Sequence, residues 1–211
     1  MEYKSQHGQD KFAVNYFKNK KNGTFVDIGA HDGESLSNTY TLEKELNWNG
    51  ICIEPMPRQY KNLIECRNCI TYNCAIYDKN GTEKFLLVDS DGYPDMLSGI
   101  SKDISIPAMS SILSESSRLG AELKRINVET RILNEILEEH QFYHIDFMTI
   151  DVEGAELKIL SKVNFDKFYI GLLIYENGPS DNSIREFLKS KNFSFVKRLG
   201  GDDVFVNNIK K

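Results

Sequence analysis

The stretch Phe25-Val26-Asp27-Ile28-Gly29-Ala30-His31-Asp32-Gly33 decides the fold of this chain. Its first four residues predict a short buried strand, and the glycines that follow predict a tight turn into a helix. About 20 residues later, the apolar run Ile51-Cys52-Ile53 ends in the acid Glu54. A glycine-rich turn after one strand and an acid at the end of the next are, at this spacing, typical of a site for an adenosine cofactor.

The order of residues in the turn indicates which cofactor. Dinucleotide sites carry the pattern G-x-G-x-x-G, whose amides hold a pyrophosphate, whereas this turn has the pattern Asp27-x-Gly29-x-x-x-Gly33. The carboxylates of Asp27 and Asp32 would repel a phosphate, but they suit a cofactor with a positive end, such as the sulfonium and amino groups of S-adenosylmethionine. The pattern therefore favours a methyl donor, and a strand-turn-helix with a purely structural role is the alternative.

The composition is that of an ordinary globular protein. The 211 residues are 40% hydrophobic and 27% charged, which fits one α/β domain over 1–211. A net charge of −5 disfavours nucleic acid and anionic membranes as partners. Without an apolar run of about 20 residues or a signal-peptide core, we expect no membrane span. The pair Cys66-x-x-Cys69 would suit zinc, but no second pair follows at the spacing of a zinc site, so we interpret the four cysteines as free thiols. Free thiols indicate a cytoplasmic protein. The oligomeric state stays open.

Strand and helix patterns alternate along the chain, which predicts an α/β fold with helices on both faces of a mostly parallel sheet. The predicted strands are 24–28, 50–54, 70–76, 83–88, 126–129, 145–150 and 169–175, followed by an antiparallel pair at 193–197 and 204–206. The predicted helices are 11–17, 35–46, 57–63, 111–124, 131–140, 156–163 and 183–189. Residues 89–124 are the least regular, and we expect an insertion there that forms the rim of a substrate pocket.

Acids follow several of the predicted strands. Ligands of open α/β sheets bind beyond the carboxyl ends of the strands, so Asp151 and Glu153, two positions apart, are both expected to face the cleft as candidate bases. Asp151, Glu176 and Asn177 offer oxygen ligands that would suit Mg²⁺ or Mn²⁺. A bound cation would lower the pKa of a substrate hydroxyl. The alternative is that these acids are solvated loop residues or helix caps.

Taken together, the motifs resemble those of the FkbM family of S-adenosylmethionine-dependent methyltransferases. The resemblance keeps its order over nearly the whole chain. The matching stretches are Ser5-Gln6-x-Gly8-Gln9-Asp10, Phe25 to Gly33, Leu36-Ser37-Asn38-Thr39, Trp48-x-Gly50-Ile51-Cys52-Ile53-Glu54-Pro55 and Ile145 to Glu156.

The resemblance implies a class I methyltransferase fold. This fold is a Rossmann-like three-layer sandwich with a mostly parallel seven-stranded sheet whose last strand is antiparallel. By resemblance, Glu54 holds the ribose, and Cys74 with Ala75 occupies the place where adenine is usually contacted. An acid is common at that place, and a thiol is a weaker acceptor. The implied cofactor-binding residues are Asp27, Gly29, Ala30, His31, Gly33, Glu54, Pro55, Cys74, Ala75 and Asp151.

The predicted function is O-methylation by S-adenosylmethionine, with a sugar hydroxyl of a glycan or glycoconjugate as acceptor. Asp151 or Glu153 would accept the proton, or hold the metal that activates the hydroxyl. Rings of Tyr93, Tyr175 and Phe205 are expected to stack on the sugar. Three alternatives stay open: a methyltransferase acting on another small molecule, a catalytically silent binding domain, and a nicotinamide-dependent oxidoreductase. The missing G-x-G-x-x-G argues against the last.

Overall fold

A seven-stranded sheet forms the centre of the molecule. The computed structural model describes residues 1–90, 93–177 and 182–209. In chain order, the elements are α1 (Gln9–Tyr16), β1 (Thr24–Ile28), α2 (Tyr40–Leu46), β2 (Asn49–Ile53), α3 (Pro57–Cys66), β3 (Ile70–Tyr72), β4 (Ala75–Ile76), β5 (Gly81–Asp89), a 3-10 turn (Tyr93–Leu97), β6 (Gly99–Ile100), α4 (Ile106–Leu119), β7 (Glu122–Arg131), α5 (Leu133–Glu139), β8 (His144–Ile150), α6 (Glu156–Lys162), β9 (Tyr169–Glu176), α7 (Asn182–Ser190), β10 (Phe193–Leu199) and β11 (Asp202–Asn207).

The strands of this sheet lie in the order β10, β11, β9, β8, β1, β2, β3. The neighbouring pairs from β9 to β3 are parallel, and β11 runs antiparallel to β9 and β10. The prediction of a mostly parallel seven-stranded sheet with an antiparallel last strand is therefore confirmed. Among the described helices, none is both long and apolar enough to cross a bilayer.

The sheet is buried on both faces, which explains why its central strands are almost continuously apolar. Successive residues of β1 point to opposite faces. Phe25 belongs to a cluster with residues of α1 and α2, whereas Val26 and Ile28 belong to a cluster with residues of α5, α6 and α7. Burying one such side chain stabilises the fold by about 1.5–3 kcal/mol. The helices thus form the two outer layers of a three-layer sandwich.

A second, four-stranded sheet follows β3 in the chain. Its strand order is β4, β7, β5, β6. Its residues Phe85, Ile100 and Val128 join the main core, while Leu86 and Val88 on the opposite face pack with Ile112 of α4. The segment 89–124, predicted to be irregular, therefore carries a 3-10 turn, a short strand, a helix of 14 residues and the start of β7.

The structure also corrects the position of α4. The helix predicted at 111–124 spans Ile106–Leu119, because Ser105 caps it through Ala108 N–H at 3.2 Å and Gly120 ends it in a left-handed conformation. The residues after 120 extend instead into β7, which begins at Glu122 rather than near 126.

Two further predicted elements were wrong in extent. The helix expected at 35–46 begins only at Tyr40, because Leu36 has a positive φ of 56° and Ser37 Oγ accepts from the N–H groups of Thr39 and Tyr40. The strand expected at 70–76 is divided between the two sheets as β3 and β4. Between them, Asn73 donates to the carbonyl oxygens of Glu54 and Pro55 at 2.8 and 3.2 Å, which redirects the chain.

Candidate functional site

A cavity of about 310 Å³ lies at the carboxyl ends of β1, β2, β8 and β9. Its size is at the lower end of the range that small-molecule sites occupy. The glycine turn after β1 forms its floor, Glu54 lies at one end, and Asp151 and Glu176 lie toward the other strands. Residues of the second sheet, among them Phe85 and Ile100, close it from above.

The two glycines of the turn have different roles. Gly29 has a positive φ of 88°, and a Cβ there would lie 1.8 Å from the backbone oxygen of Asp151, so only glycine permits this close approach. The N–H groups of Gly29 and Ala30 donate to Ile53 O at 3.0 and 3.1 Å, and both residues line the cavity. Gly33 does not line it; a Cβ there would meet the Leu63 side chain at 2.7 Å, so Gly33 lets the loop pack on α3.

Glu54 is buried beside the cavity, and neighbouring backbone N–H groups hold its carboxylate in place. One carboxylate oxygen accepts from His31 N–H at 2.8 Å and the other from Met56 N–H at 2.7 Å. Burial raises the pKa of Glu54 to about 7, although these two hydrogen bonds favour the charged form. Each oxygen keeps a lone pair for a ligand, so Glu54 can accept from vicinal hydroxyls. Pro55, next in the chain, also lines the cavity.

No pattern in the sequence indicates Asp95, the partner of His31. His31 Nε2 lies 3.2 Å from Asp95 Oδ1, and Arg58 and Gln59 of α3 both donate to Asp95 Oδ2. Burial lowers the pKa of His31, but contacts with Asp32 and Asp95 outweigh burial and raise it to about 9. The protonated ring therefore ties the glycine turn to the 3-10 turn that holds Asp95.

Asp27 lies at the base of the cavity inside β1. Its Oδ2 accepts from Thr39 Oγ1 at 2.5 Å, and Arg67 Nη2 donates to that hydroxyl at 3.0 Å. Burial raises the pKa of Asp27, and the buried Arg67 guanidinium partly offsets this. Arg67 also donates to Glu43 and to Gly33 O, so it clamps the loop that follows the glycine turn.

Three carboxyl groups meet at the far side of the cavity. Oxygen atoms of Asp151, Glu153 and Glu176 all lie within 4.8 Å of one another. Asp151 faces the cavity, yet loss of bulk water and the charge of Glu176 raise its pKa well above the usual range. Burial and the neighbouring acids raise the pKa values of Glu153 and Glu176 to about 8. Burial and mutual repulsion therefore both favour retention of protons by this cluster.

Asn177, predicted as a metal ligand beside Glu176, is not among the residues that line the cavity. Its amide donates to Asp203 Oδ2 at 2.7 Å, in a buried network that includes Arg185 and the Tyr175 hydroxyl. Successive residues of an extended chain point to opposite faces, so Glu176 and Asn177 diverge. Glu153 takes the third place beside Asp151 and Glu176.

The prediction of sugar-stacking rings was wrong for two of the three residues. Tyr175 is 0% exposed and Phe205 is 1% exposed, so neither ring presents a face to the cavity. The side chain of Tyr93 lies outside the described residues.

Cys74 and Ala75 are buried and line the cavity at the end nearest β3. Burial raises the pKa of Cys74 to about 12, so the thiol is neutral at physiological pH. A neutral thiol is a weak hydrogen-bond acceptor. Met56 and Ile76 add apolar surface to this end, which suits a flat heteroaromatic ring.

The opposite end of the cavity contains residues to which sequence reasoning gave no role. Gln6 and His7 come from the segment before α1, Gln9 is the first residue of α1, and Asp202 is the first residue of β11. Gln9 is buried and donates to Asp202 Oδ2 at 2.6 Å. The stretch Ser5-Gln6-x-Gly8-Gln9-Asp10 is one of the motifs that resemble the FkbM family, so the sequence marks it as a conspicuous segment. Nothing in this stretch indicates the contact with Asp202.

Comparison with known families supports the resemblance. The methyltransferase FkbM domain profile matches residues 27–195, which is most of the chain. The chain belongs to the FkbM methyltransferase domain family. Among curated protein sequences, none matches it significantly.

One solved structure agrees with this FkbM domain in fold, and two others are reported as similar to it. The methyltransferase FkbM from Methylobacillus flagellatus KT matches 92% of this chain with a TM-score of 0.52 and 12% identity, and this chain spans 47% of its length. The METTL16 MTase domain matches 95% of the chain with a TM-score of 0.48 and 10% identity, over 66% of its own length. A methyltransferase from Pyrococcus furiosus matches 99% with a TM-score of 0.42 and 14% identity, over 89% of its own length.

The FkbM family implies S-adenosylmethionine as the methyl donor, and the donor set of the cavity fits that molecule. Glu54 offers acceptors for hydroxyl groups, and the walls near Cys74 and Met56 are apolar. Asp27 and the carboxyl cluster supply acidic groups along the cavity. An acidic cavity favours a cationic ligand over a phosphate-bearing one.

Proposed function

We propose that this FkbM domain is an S-adenosylmethionine-dependent O-methyltransferase whose acceptor is a hydroxyl group of a sugar in a glycan or glycoconjugate. One observation carries the proposal. A single cavity extends from Glu54 and the glycine turn to the protonatable cluster of Asp151, Glu153 and Glu176. Methyl transfer to oxygen requires both a donor site and a proton acceptor, and here the residues suited to these tasks share one cavity.

On the donor side, Glu54 would accept from the ribose hydroxyls, and the turn Gly29–His31 would contact the cofactor through its backbone. The apolar residues around Cys74 and Ala75 would pack on the adenine. When bound, the cofactor supplies an electrophilic methyl group on a sulfonium. The protein's contribution is to hold this group and the acceptor oxygen in line, and such positioning is a large part of the rate enhancement in group transfers.

On the acceptor side, Asp151 or Glu153 would accept the hydroxyl proton. A carboxylate with an ordinary pKa is a poor base for an alcohol, whereas a raised pKa brings the base closer to the operating pH. Burial and mutual repulsion produce this increase in the cluster. The three carboxyl groups can share the released proton. Its uptake removes one negative charge from the cluster and so reduces the repulsion among these groups.

A neutral sugar suits the surroundings of this cluster. Carboxylates accept hydrogen bonds from hydroxyl groups, and the cavity end with Gln6, Gln9 and Asp202 adds further polar atoms. The net charge of −5 and the acidic cavity disfavour polyanions such as nucleic acid. The segment 89–124 contributes Met96, Leu97 and Ser98 to the cavity wall, consistent with a role as acceptor rim.

A bound divalent cation is a second way to activate the hydroxyl, and it stays a prediction. The mutual approach of Asp151, Glu153 and Glu176 within 4.8 Å is the observation that favours it. Three carboxylate oxygens at this separation suit Mg²⁺ or Mn²⁺. In this ligand set, Glu153 replaces Asn177, which the sequence predicts as the third ligand.

The test is incubation with methyl-labelled S-adenosylmethionine and a panel of neutral sugars, followed by mass spectrometry. We expect label on a hydroxyl oxygen as a methyl ether. Label on a nitrogen or only on RNA would refute the acceptor class but not the donor site. Label on a non-sugar alcohol would favour the small-molecule alternative. Binding of the cofactor in calorimetry without transfer to any acceptor would favour a silent binding domain.

A further inference from the structure

Glu153 is held in a backbone conformation that its residue type disfavours. Its φ is 59°, in the left-handed region, where the Cβ of an L-residue crowds the following carbonyl oxygen. Such strain persists only where the surrounding structure imposes it. With this backbone, a carboxyl oxygen of Glu153 lies within 4.8 Å of oxygens of Asp151 and Glu176. The groups that impose the conformation therefore decide whether the three carboxyl groups meet.

The segment 99–103, which contains β6 and the turn after it, lies directly on the turn around Glu153. A Cβ on Gly99 would be 3.0 Å from Glu153 Cβ, and a Cβ on Gly154 would be 2.6 Å from Asp103 O. Gly154 also has a positive φ of 114°. The two stretches of backbone therefore approach each other closely, and a shift of the segment 99–103 changes the space that is left for Glu153.

Three polar side chains anchor this segment to α6. The hydroxyl of Tyr77, which follows β4, donates to Asp103 Oδ2 at 2.7 Å. Lys158 of α6 donates to the same hydroxyl at 3.0 Å and also to Asp103 Oδ1. The Asp103 side chain is 5% exposed and Tyr77 is 1% exposed, so loss of either partner leaves a buried polar group unsatisfied. None of the three residues lines the cavity.

The same helix fixes the turn from the other side. Glu156, the first residue of α6, accepts through Oε1 from the N–H groups of Val152 and Gly154 at 3.3 and 3.2 Å. The helix therefore holds both the turn and, through Lys158, the segment that covers it. Because the turn cannot move away from α6, the contact of Asp103 with Lys158 sets how closely the segment lies on it.

We infer that Asp103 is a positioning residue for Glu153. Through its two side-chain partners, Asp103 keeps the segment 99–103 on the turn, and the turn then holds the Glu153 carboxyl beside the other two carboxyl groups of the cluster. Asp103 is outside the cavity, so its effect on methyl transfer is indirect. This role rests on the proposed function, in which Glu153 belongs to the acceptor side of the cavity.

Nuclear magnetic resonance tests the placement of Glu153 without an acceptor. The Cα and Cβ chemical shifts of Glu153 report whether its φ is positive. We expect a positive φ in the wild type and its loss in Asp103→Ala. Tyr77→Phe removes only the hydroxyl, and it should move the same resonances in the same direction. Glu83→Gln is the matched control, because it removes an ion pair with Lys102 of the same segment but no hydrogen bond of Asp103; the Glu153 resonances should then stay in place.

A double-mutant cycle with Glu153→Gln tests the effect on turnover, measured with the sugar that takes up label in the panel. Asp103→Ala should slow turnover about tenfold in the wild-type background but less than about twofold in the Glu153→Gln background. Binding of S-adenosylhomocysteine, the demethylated cofactor, should stay within about twofold of the wild type in calorimetry, since Glu54 and the glycine turn are untouched.

Unchanged Glu153 resonances in Asp103→Ala would overturn the inference. Equal losses of turnover in the two backgrounds would also overturn it, because Asp103 would then act independently of Glu153. Displaced Glu153 resonances in Glu83→Gln would show a general effect of the second sheet and overturn it as well. Tyr77→Phe decides the question by the same resonances if Asp103→Ala does not fold. Failure of the wild type to bind S-adenosylhomocysteine or to methylate any acceptor would instead refute the proposed function, while the resonances would still decide the role of Asp103.

Discussion

Replacing Glu153 by Gln should stabilise the protein at alkaline pH while it impairs catalysis. The pKa of Glu153 is raised in the folded protein, so the folded state holds a proton more tightly than the unfolded chain. Stability linked to Glu153 is therefore fully present below its unfolded pKa near 4.5, and it is lost as the pH rises toward 8. Gln carries no charge, so the variant avoids this loss.

The magnitude follows from the two pKa values. A folded pKa of about 8 against an ordinary 4.5 corresponds to about 5 kcal/mol at most, because a difference of one is worth about 1.4 kcal/mol. Water in the cavity screens the charge, and Asp151 and Glu176 share the proton, so we expect about 2 kcal/mol at pH 8. For a chain of this length, that free energy raises Tm by about 4–8 °C.

The assay is thermal unfolding of wild type and Glu153→Gln from pH 4.5 to 9, with EDTA present. Glu153 has a positive φ of 59°, and Gln retains the same backbone strain, so the comparison isolates the charge. Glu139→Gln is the control of opposite sign, since the Arg131 hydrogen bond lowers the pKa of Glu139 to about 2; it should lower Tm at pH 8. A Tm for Glu153→Gln at or below the wild-type value at pH 8–9 would refute the reasoning.

The other predictions concern binding, turnover and the turn. Glu54→Ala should weaken S-adenosylmethionine binding by about 1–3 kcal/mol; unchanged calorimetric affinity would contradict the ribose assignment. Asp151→Asn should leave that affinity within about tenfold but slow turnover at least about a hundredfold, as steady-state kinetics would show, because the base or metal ligand is lost. Transfer should fall after chelation with EDTA and return with Mg²⁺ or Mn²⁺; full activity after exhaustive chelation would exclude the metal and leave a direct base. Gly29→Ala should lower unfolding free energy by at least about 3 kcal/mol in denaturant titrations, since its Cβ would meet Asp151 O at 1.8 Å, whereas Gly120→Ala, at a similar φ in open space, should cost about 1 kcal/mol. Equal losses in the two glycine variants would show that φ alone matters.

Sequence patterns located the sheet well because its strands are defined by local signals. β1 and β8 are short apolar runs that end at a glycine turn or an acid, and both lie within one residue of their predicted bounds. The helix predicted from 35 failed because apolar spacing does not reveal the positive φ of Leu36. The strand predicted over 70–76 failed because its apolar pattern continues across Asn73, where hydrogen bonds to a distant loop redirect the chain.

The candidate site shows the same limit. The spacing of two between Asp151 and Glu153 predicts that both face the cleft, and the structure brings them together, although Glu153 has a positive φ of 59° rather than an extended backbone. The same rule separates Glu176 from Asn177, which are adjacent. Asp95 reaches His31 from a segment without recognisable periodicity. Contacts between residues so distant in sequence depend on how the whole chain packs, and no local pattern encodes them.

The hydrogen bond between Gln9 and Asp202 joins residues 193 positions apart. During synthesis, the glycine turn and Glu54 leave the ribosome long before β11. The wall with Gln9 closes only after β11 has been made, because loop closure over such a distance requires both ends. A chain that ends before Asp202 would thus contain the glycine turn and Glu54 but lack the contact that joins the first helix to the last strand at the wall of the cavity.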